Sequence, residues 1–153
     1  MFKKILVANR GEIACRIMQA AKELGIPTVA IYSAVDAKAK HVKLADEAVQ
    51  TGASPLDTYL NIENLVALEV GADAIHPGYG FLAENSDFVR ACEQNKITFI
   101  GPPSHAMALA GDKAKAKETM RKAGLPVIPG SHGLLKDVKD ARALAKEVGY
   151  PVL

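Results

Sequence analysis

Ile75-His76-Pro77-Gly78-Tyr79-Gly80-Phe81-Leu82-Ala83-Glu84-Asn85 runs from the end of an apolar segment, through two glycines that bracket a tyrosine, into the start of an amphipathic helix. Pro77 fixes one φ and biases His76 toward extended geometry, so a strand is expected to end there. Gly78 and Gly80 permit positive φ or a close backbone approach to a ligand. A stiff, glycine-lined loop at the carboxyl end of a parallel strand is where open α/β sheets bind ligands. A tight structural turn is the plainer alternative. Tyr79 at the loop tip and Glu84 just beyond it keep the binding reading open.

Working outward, apolar runs alternate with helical spacing. Residues 4–8 (Lys-Ile-Leu-Val-Ala) form a continuous apolar run, the pattern of a strand buried on both faces. Residues 12–24 carry Ile13, Ile17, Ala20, Ala21 and Leu24 at helical spacing, and Gly25 supplies the stop. Residues 28–32 give a second β-branched run, parallel to the first because a helix of that length separates them. A short helix is expected over 37–45, a short strand over 47–50 before a Thr51-Gly52 turn, and a loop over 54–57. A helix through Ile62, Leu65, Val66 and Val70 then closes at Gly71, and residues 72–76 form the strand that delivers the opening loop. Beyond the loop, Asn85 caps a helix with Phe88, Val89 and Cys92 on its inner side. Residues 98–101 are the fifth strand, ended by Pro102-Pro103. This pattern predicts an α/β fold with a doubly wound, five-stranded parallel sheet of Rossmann-like type.

Past Pro103 the character changes. Ser104 opens a short helix to Leu109. Gly111 separates it from a lysine-rich helix over 112–123, residues 127–130 are extended, and 137–148 is amphipathic through Val138, Ala141, Leu144 and Val148. Residues 149–153 resemble the first residues of a strand with no sheet to join, so a longer parent protein is expected.

The bulk composition excludes several classes. At 153 residues the chain is one domain, or one domain with an appendage, large enough to hold a core unaided. A net charge of +2 is too small to argue for nucleic acid, and 5% aromatics leave little for base stacking. No apolar run approaches the ~20 residues of a membrane span, and the N-terminus lacks a signal-peptide cleavage region. Cys15 and Cys92 fall inside predicted helices without metal or redox spacing, which suits reduced thiols in a cytoplasmic protein.

Three places can carry chemistry: residues 9–12, the loop after the fourth strand, and the lysines of 112–123. The first two follow carboxyl ends of parallel strands and are expected to face one cleft. Arg10 offers a planar fork to a phosphate or carboxylate, or else pairs with a protein carboxylate at the surface. Asp36 sits where Rossmann domains place a ribose-binding acid, but the Gly-x-Gly-x-x-Gly fingerprint is missing, which argues against a nicotinamide oxidoreductase. Lys115, Lys117 and Lys122 read as a solvated face. Lys113, at the start of its helix beside a flexible turn and free amides, is the better ligand candidate. His76 reads as a hydrogen-bonded structural residue, and His41, His105 and His132 are isolated, so no metal site is expected in this chain.

Residues 5–17 (Ile-Leu-Val-Ala-Asn-Arg-Gly-Glu-Ile-Ala-Cys-Arg-Ile), 75–85, 99–102 (Phe-Ile-Gly-Pro) and 111–113 (Gly-Asp-Lys) resemble, in order and spacing, the N-terminal portion of biotin carboxylase, the ATP-grasp component of acetyl-CoA, pyruvate and propionyl-CoA carboxylases. The resemblance implies a Rossmann-like pre-ATP-grasp domain over 1–110 and a truncated, mostly helical beginning of the ATP-grasp domain over 111–153. It implies a parent ligase that uses MgATP and bicarbonate, through carboxyphosphate, to carboxylate biotin on its carrier protein. A separate carboxyltransferase chooses the final acceptor. By position Lys113 matches the ATP-binding lysine. His76, Gly78, Tyr79, Gly80 and Glu84 belong to the substrate-side loop, where Tyr79 and Gly80 match the lining of the biotin and bicarbonate side. Arg16 and Glu23 match a homodimer contact. The strand lysine, glycine-rich lid, acidic Mg2+ ligands and catalytic arginine of the family lie further on, so the fragment alone is expected to be inactive. The competing expectations are a non-catalytic dimerisation or partner-docking module and another ATP-grasp ligase.

Overall fold

The computed structural model describes residues 1–67, 70–131 and 135–152. His132, Leu153, the side chain of Val66 and residues 68–69, through which the fourth helical segment was expected to run, lie outside what is described. The chain divides into two compact units, Met1–Met107 and Ala108–Leu153.

In the first unit β1 (Ile5–Val7), β2 (Thr28–Ser33), β3 (Glu47–Gly52), β4 (Ala74–His76) and β5 (Thr98–Phe99) form one parallel sheet in the order β3-β2-β1-β4-β5. Alternation along the strands sorts the core onto two faces. Ile5, Val7, Ala30 and Ala74 pack with Ala14, Ile17, Met18 and Ala21 of α1 (Gly11–Glu23). Leu6, Ala8, Val29, Ile31 and Ile75 share the other cluster with Tyr59 of α3 (Pro55–Tyr59), Leu65 of α4 (Ile62–Ala67), and Phe88 and Cys92 of α5 (Ser86–Gln94). Burying side chains such as Leu6, Ile31 or Phe88 contributes roughly 1.5–3 kcal/mol each. Helices on both faces make the architecture doubly wound, as the alternating runs predict.

Local chemistry sets the element ends. Gly25 takes φ +70, its N–H meets the Lys22 carbonyl at 3.0 Å, and the Ile26 N–H returns to the Ala21 carbonyl at 2.9 Å. That pair of bonds is the glycine stop of α1. Asn85 Oδ1 accepts from the amides of Asp87 (2.9 Å) and Phe88 (3.0 Å), as the cap requires.

Several sequence expectations for the first unit need correction. Residues 54–57 are not the expected loop: α3 begins at Pro55, with Ser54 Oγ accepting from the Asp57 amide, a capping serine followed by a first-turn proline. The expected helix over 37–45 is a 3-10 turn at Ala34–Asp36 followed by α2 (Lys40–Leu44). Thr51 and Gly52 continue β3 rather than turning. Leu24, assigned to the apolar stripe of α1, is 63% exposed, and Met18 takes the buried place.

In the second unit α6 (Ser104–Gly111), whose first turn belongs to the first unit, runs through Gly111 instead of stopping at Leu109. Asp112 caps α7 (Lys113–Lys122), and Asp137 caps α8 (Val138–Val148). None of the described residues of α7 or α8 is buried.

Candidate functional site

β1 is flanked by β2 on one side and β4 on the other, so the chain changes direction of winding between β1 and β4. At such a switch point the loops that follow the two strands diverge and leave a crevice. Val7 pairs with His76 in register, and the Ala8 N–H donates to the His76 carbonyl at 2.9 Å. The two loops therefore leave the sheet at the same height.

Asn9 ties them together. It is 2% exposed, and its Nδ2 donates to the carbonyls of Pro77 (2.7 Å) and Tyr79 (2.8 Å), while its Oδ1 accepts from the Arg10 amide at 2.8 Å. Gly78, at φ +64, lies so close that an added Cβ would meet Asn9 Nδ2 at 2.9 Å and Ile13 Cγ1 at 3.1 Å. Both the sign of φ and the approach of Asn9 require glycine here. The Tyr79 hydroxyl reaches over to donate to the Glu12 carboxylate, and that bond raises the Tyr79 pKa. The crevice so formed has a volume of ≈ 470 Å³ and is lined by residues 9–13 from the first loop and 79–81 from the second. No side chain among the described residues caps α1, so its first-turn amides at the crevice remain open to a polar or anionic ligand.

Behind the crevice lies a buried polar cluster. Asp36, 7% exposed, accepts from Arg10 Nη2 (2.6 Å), the Ser33 hydroxyl (3.0 Å) and the Tyr59 hydroxyl (2.9 Å). Burial pushes its carboxyl upward, but the two hydroxyl bonds and the Arg10 charge outweigh this and hold it below its ordinary value. Arg10 is thus the residue that pairs with a protein carboxylate, and Asp36 is saturated rather than presented to a ribose. The fully buried Tyr59 ring stacks on Phe81, with centroids 5.3 Å apart, and sits 5.7 Å from the Arg10 guanidinium carbon. Phe81 holds φ +46, unusual for a residue with a side chain.

The other predicted residues are dispersed. His76 is half-buried; its Nδ1 accepts from the Gly78 amide at 3.1 Å, and burial lowers its pKa, which fits the hydrogen-bonded structural role expected of it. It lines not the crevice but a second, apolar groove of ≈ 820 Å³ shared with Phe2, Arg16 and Ile17. Glu84 is exposed and outside the crevice lining. Arg16 and Glu23 are exposed on α1, where Gln19 Nε2 donates to Glu23 at 3.0 Å. Lys113 is exposed as the first residue of α7. The amides of Ala114 and Lys115 beside it are not free, because Asp112 Oδ1 accepts from both at 3.1 Å. Lys115 pairs with Asp112 and Lys122 with Glu118, as a solvated face does.

Sequence reasoning missed Asn9 as the tie, and Tyr59 and Phe81 altogether. An asparagine directly after a buried strand was the available signal for the first; Tyr59 was hidden by reading 54–57 as a loop. Among the described residues no cluster of three His, Cys, Asp or Glu side chains could hold a metal ion, and no helix is long and apolar enough to cross a membrane.

A family model described as "Biotin carboxylase, N-terminal domain" matches residues 1–107, and one described as "Carbamoyl-phosphate synthase L chain, ATP binding domain" matches residues 112–153. The 2-oxoglutarate carboxylase small subunit of Hydrogenobacter thermophilus is 64% identical across 100% of this chain and 33% of its own length. Biotin carboxylase 1 of Bacillus subtilis is 53% identical across 100% of this chain and 35% of its own. A crystal structure of the biotin carboxylase domain dimer of the Hydrogenobacter enzyme, in complex with MgADP, ADP and bicarbonate, superposes with a TM-score of 0.93 at 64% identity, covering 99% of this chain and 34% of that one. The chain thus spans about a third of the length of these relatives.

Proposed function

This chain belongs to the biotin carboxylase N-terminal domain family, and on that premise we propose that it is the opening third of an ATP-dependent biotin carboxylase. The observation that carries the proposal is the Asn9 tie, which draws the loops after β1 and β4 into one crevice with Tyr79 and Gly80 on its wall. In the proposed reaction MgATP phosphorylates bicarbonate, and the carboxyphosphate formed supplies the carboxyl group transferred to biotin on a carrier protein. A carboxyltransferase then passes it on. The chain's own part is to bind and orient: the glycine loop of Gly78, Tyr79 and Gly80, flanked by His76 and Glu84, forms the substrate-side wall. Residues 111–153 open the ATP-grasp domain, where Lys113 contributes to ATP binding. The match of residues 112–153 to an ATP-binding domain model supports that assignment. Among the described residues no His, Cys, Asp or Glu cluster makes up a Mg2+ ligand set, so we assign the metal's ligands to the remainder of the parent protein and propose that this chain by itself does not turn over ATP.

The test is ADP release from MgATP by the full-length protein. Turnover that needs both bicarbonate and biotin supports the proposal. Turnover that ignores biotin and needs another acceptor points to a different ATP-grasp ligase.

A second role is supported by the apolar groove along α1. The exposed Leu24 and the partly buried Phe2 leave apolar surface beside the exposed Arg16, and the superposed relative is described as a dimer. We propose that this face, with Arg16 and Glu23, serves a homodimer of the parent. Sedimentation of the full-length protein checks it: a monomer at high concentration would remove the proposal.

A further inference from the structure

Asp36 and Tyr59 of the buried cluster do not line the crevice, but each contacts its wall residues from behind. Asp36 stands just past β2 and is held by the Ser33 hydroxyl, so its own position is fixed by the sheet. From there it grips Arg10 Nη2 at 2.6 Å and the Tyr59 hydroxyl at 2.9 Å. Arg10 is in the crevice wall on the β1 side. Tyr59, anchored in α3 and fully buried, carries the chain of contacts onward through its ring to Phe81, in the wall on the β4 side, at 5.3 Å and an interplanar angle of 23°. The Arg10 guanidinium also faces the same tyrosine ring. One carboxylate and one phenol thus brace both walls, independently of the Asn9 tie.

The brace has work to do at Phe81. A phenylalanine at φ +46 is in a region costly for residues with a Cβ, and it persists only where the surroundings hold it. The residue is 43% exposed, so burial alone does not fix it, and the stack on Tyr59 supplies a contact that does. Arg10 presents a similar case. A guanidinium at a crevice mouth has many rotamers, and pairing with a buried carboxylate selects one.

We infer that Asp36 and Tyr59 are positioning residues, which set the width and orientation of the crevice by bracing Arg10 and Phe81 without touching the ligand. The inference rests on the proposal that this crevice is the biotin side of the active site, and it adds residues that the glycine loop alone does not suggest. Its chemical content is that affinity for a small, neutral, hydrogen-bonding ring system depends on these two side chains, while ATP cleavage does not.

The experiment uses the full-length protein and the variants Asp36→Asn, Tyr59→Phe and Tyr59→Leu, with free biotin as the probe. Tyr59→Phe keeps the ring stack and loses only the hydroxyl bond; Tyr59→Leu loses both. In Asp36→Asn and Tyr59→Leu, amide hydrogen exchange across residues 78–82 is expected to accelerate about tenfold, with β1 and β4 amides changed less than about twofold. The KM for biotin should rise about tenfold while kcat stays within about twofold. Tyr59→Phe, the variant safest for folding, should fall between these and the wild type in both readouts. Exchange that accelerates equally in β1 and β4, exchange that does not change in 78–82, or loop acceleration without a change in KM would each overturn the inference. If the wild-type protein shows no biotin-dependent turnover, the proposed function fails, and the exchange pattern alone decides whether the brace exists.

Discussion

Gly78→Ala adds one methyl group where the two loops meet. The added Cβ would sit 2.9 Å from Asn9 Nδ2, too close to stand without a shift, and at a tight 3.1 Å from Ile13 Cγ1 and 3.3 Å from Asn9 Cγ. Two penalties combine. Holding alanine at φ +64 costs about 1 kcal/mol. Pushing Asn9 aside strains or breaks buried bonds to the Pro77 and Tyr79 carbonyls, worth about 1–3 kcal/mol if a group is left unpaired. The sum, about 2–4 kcal/mol, is a large part of the 5–15 kcal/mol typical of a domain. Gly80→Ala is the internal control: its φ is +67, but nothing lies within 4 Å of the added Cβ, so only the backbone term of about 1 kcal/mol applies. Equilibrium urea unfolding of both variants measures the difference. A cycle with Asn9→Ala isolates the contact and should give a coupling of at least about 1 kcal/mol. Equal losses for Gly78→Ala and Gly80→Ala, or strict additivity with Asn9→Ala, would refute the claim that this approach holds the crevice together.

Acid should weaken the fold early. Burial depresses the pKa of both His41 and His76, so the unfolded chain binds protons the folded chain refuses. Stability is full above the unfolded histidine value of about 6.5 and falls as pH drops from there through the lower folded values. Urea midpoints between pH 7 and 5 record this, and His41→Leu should flatten part of the slope while leaving the His76 share. Burial pushes the Cys92 thiol up to about 11, so a thiol reagent at pH 8 should label the half-buried Cys15 and leave Cys92 protected until urea is added. Asn85→Ala removes the acceptor for two first-turn amides of α5 and should lower stability by about 1 kcal/mol, with Asn85→Ser largely restoring it.

The sheet was legible because its strands are buried on both faces, which leaves continuous apolar runs such as residues 4–8 and 28–32. The shared crevice was legible for a topological reason: two glycine-bearing breaks after parallel strands must open on the same rim. What escaped notice lies where function is carried by long-range pairs. Nothing local in Ser54-Pro55-Leu56-Asp57 announces that the helix it starts will send Tyr59 to Asp36, 23 positions earlier. The pairing of Arg10 was open because a guanidinium serves a ligand or a carboxylate equally well, and only the placement of Asp36 decides between them. Free amides beside Lys113 were expected because a flexible glycine turn was read at 111, whereas the helix continues and Asp112 occupies the amides itself.

The bare helices of Ala108–Leu153 bear on what a calorimeter would see. Heat is absorbed on unfolding mainly where packed side chains are pulled apart, and α7 and α8 have no buried side chain among their described residues. The melting endotherm of this chain should therefore fall below the ~107 kcal/mol that 153 residues give at ~0.7 kcal/mol per residue. The helices of Ala108–Leu153 would add a shallower heat signal per residue than the packed sheet does.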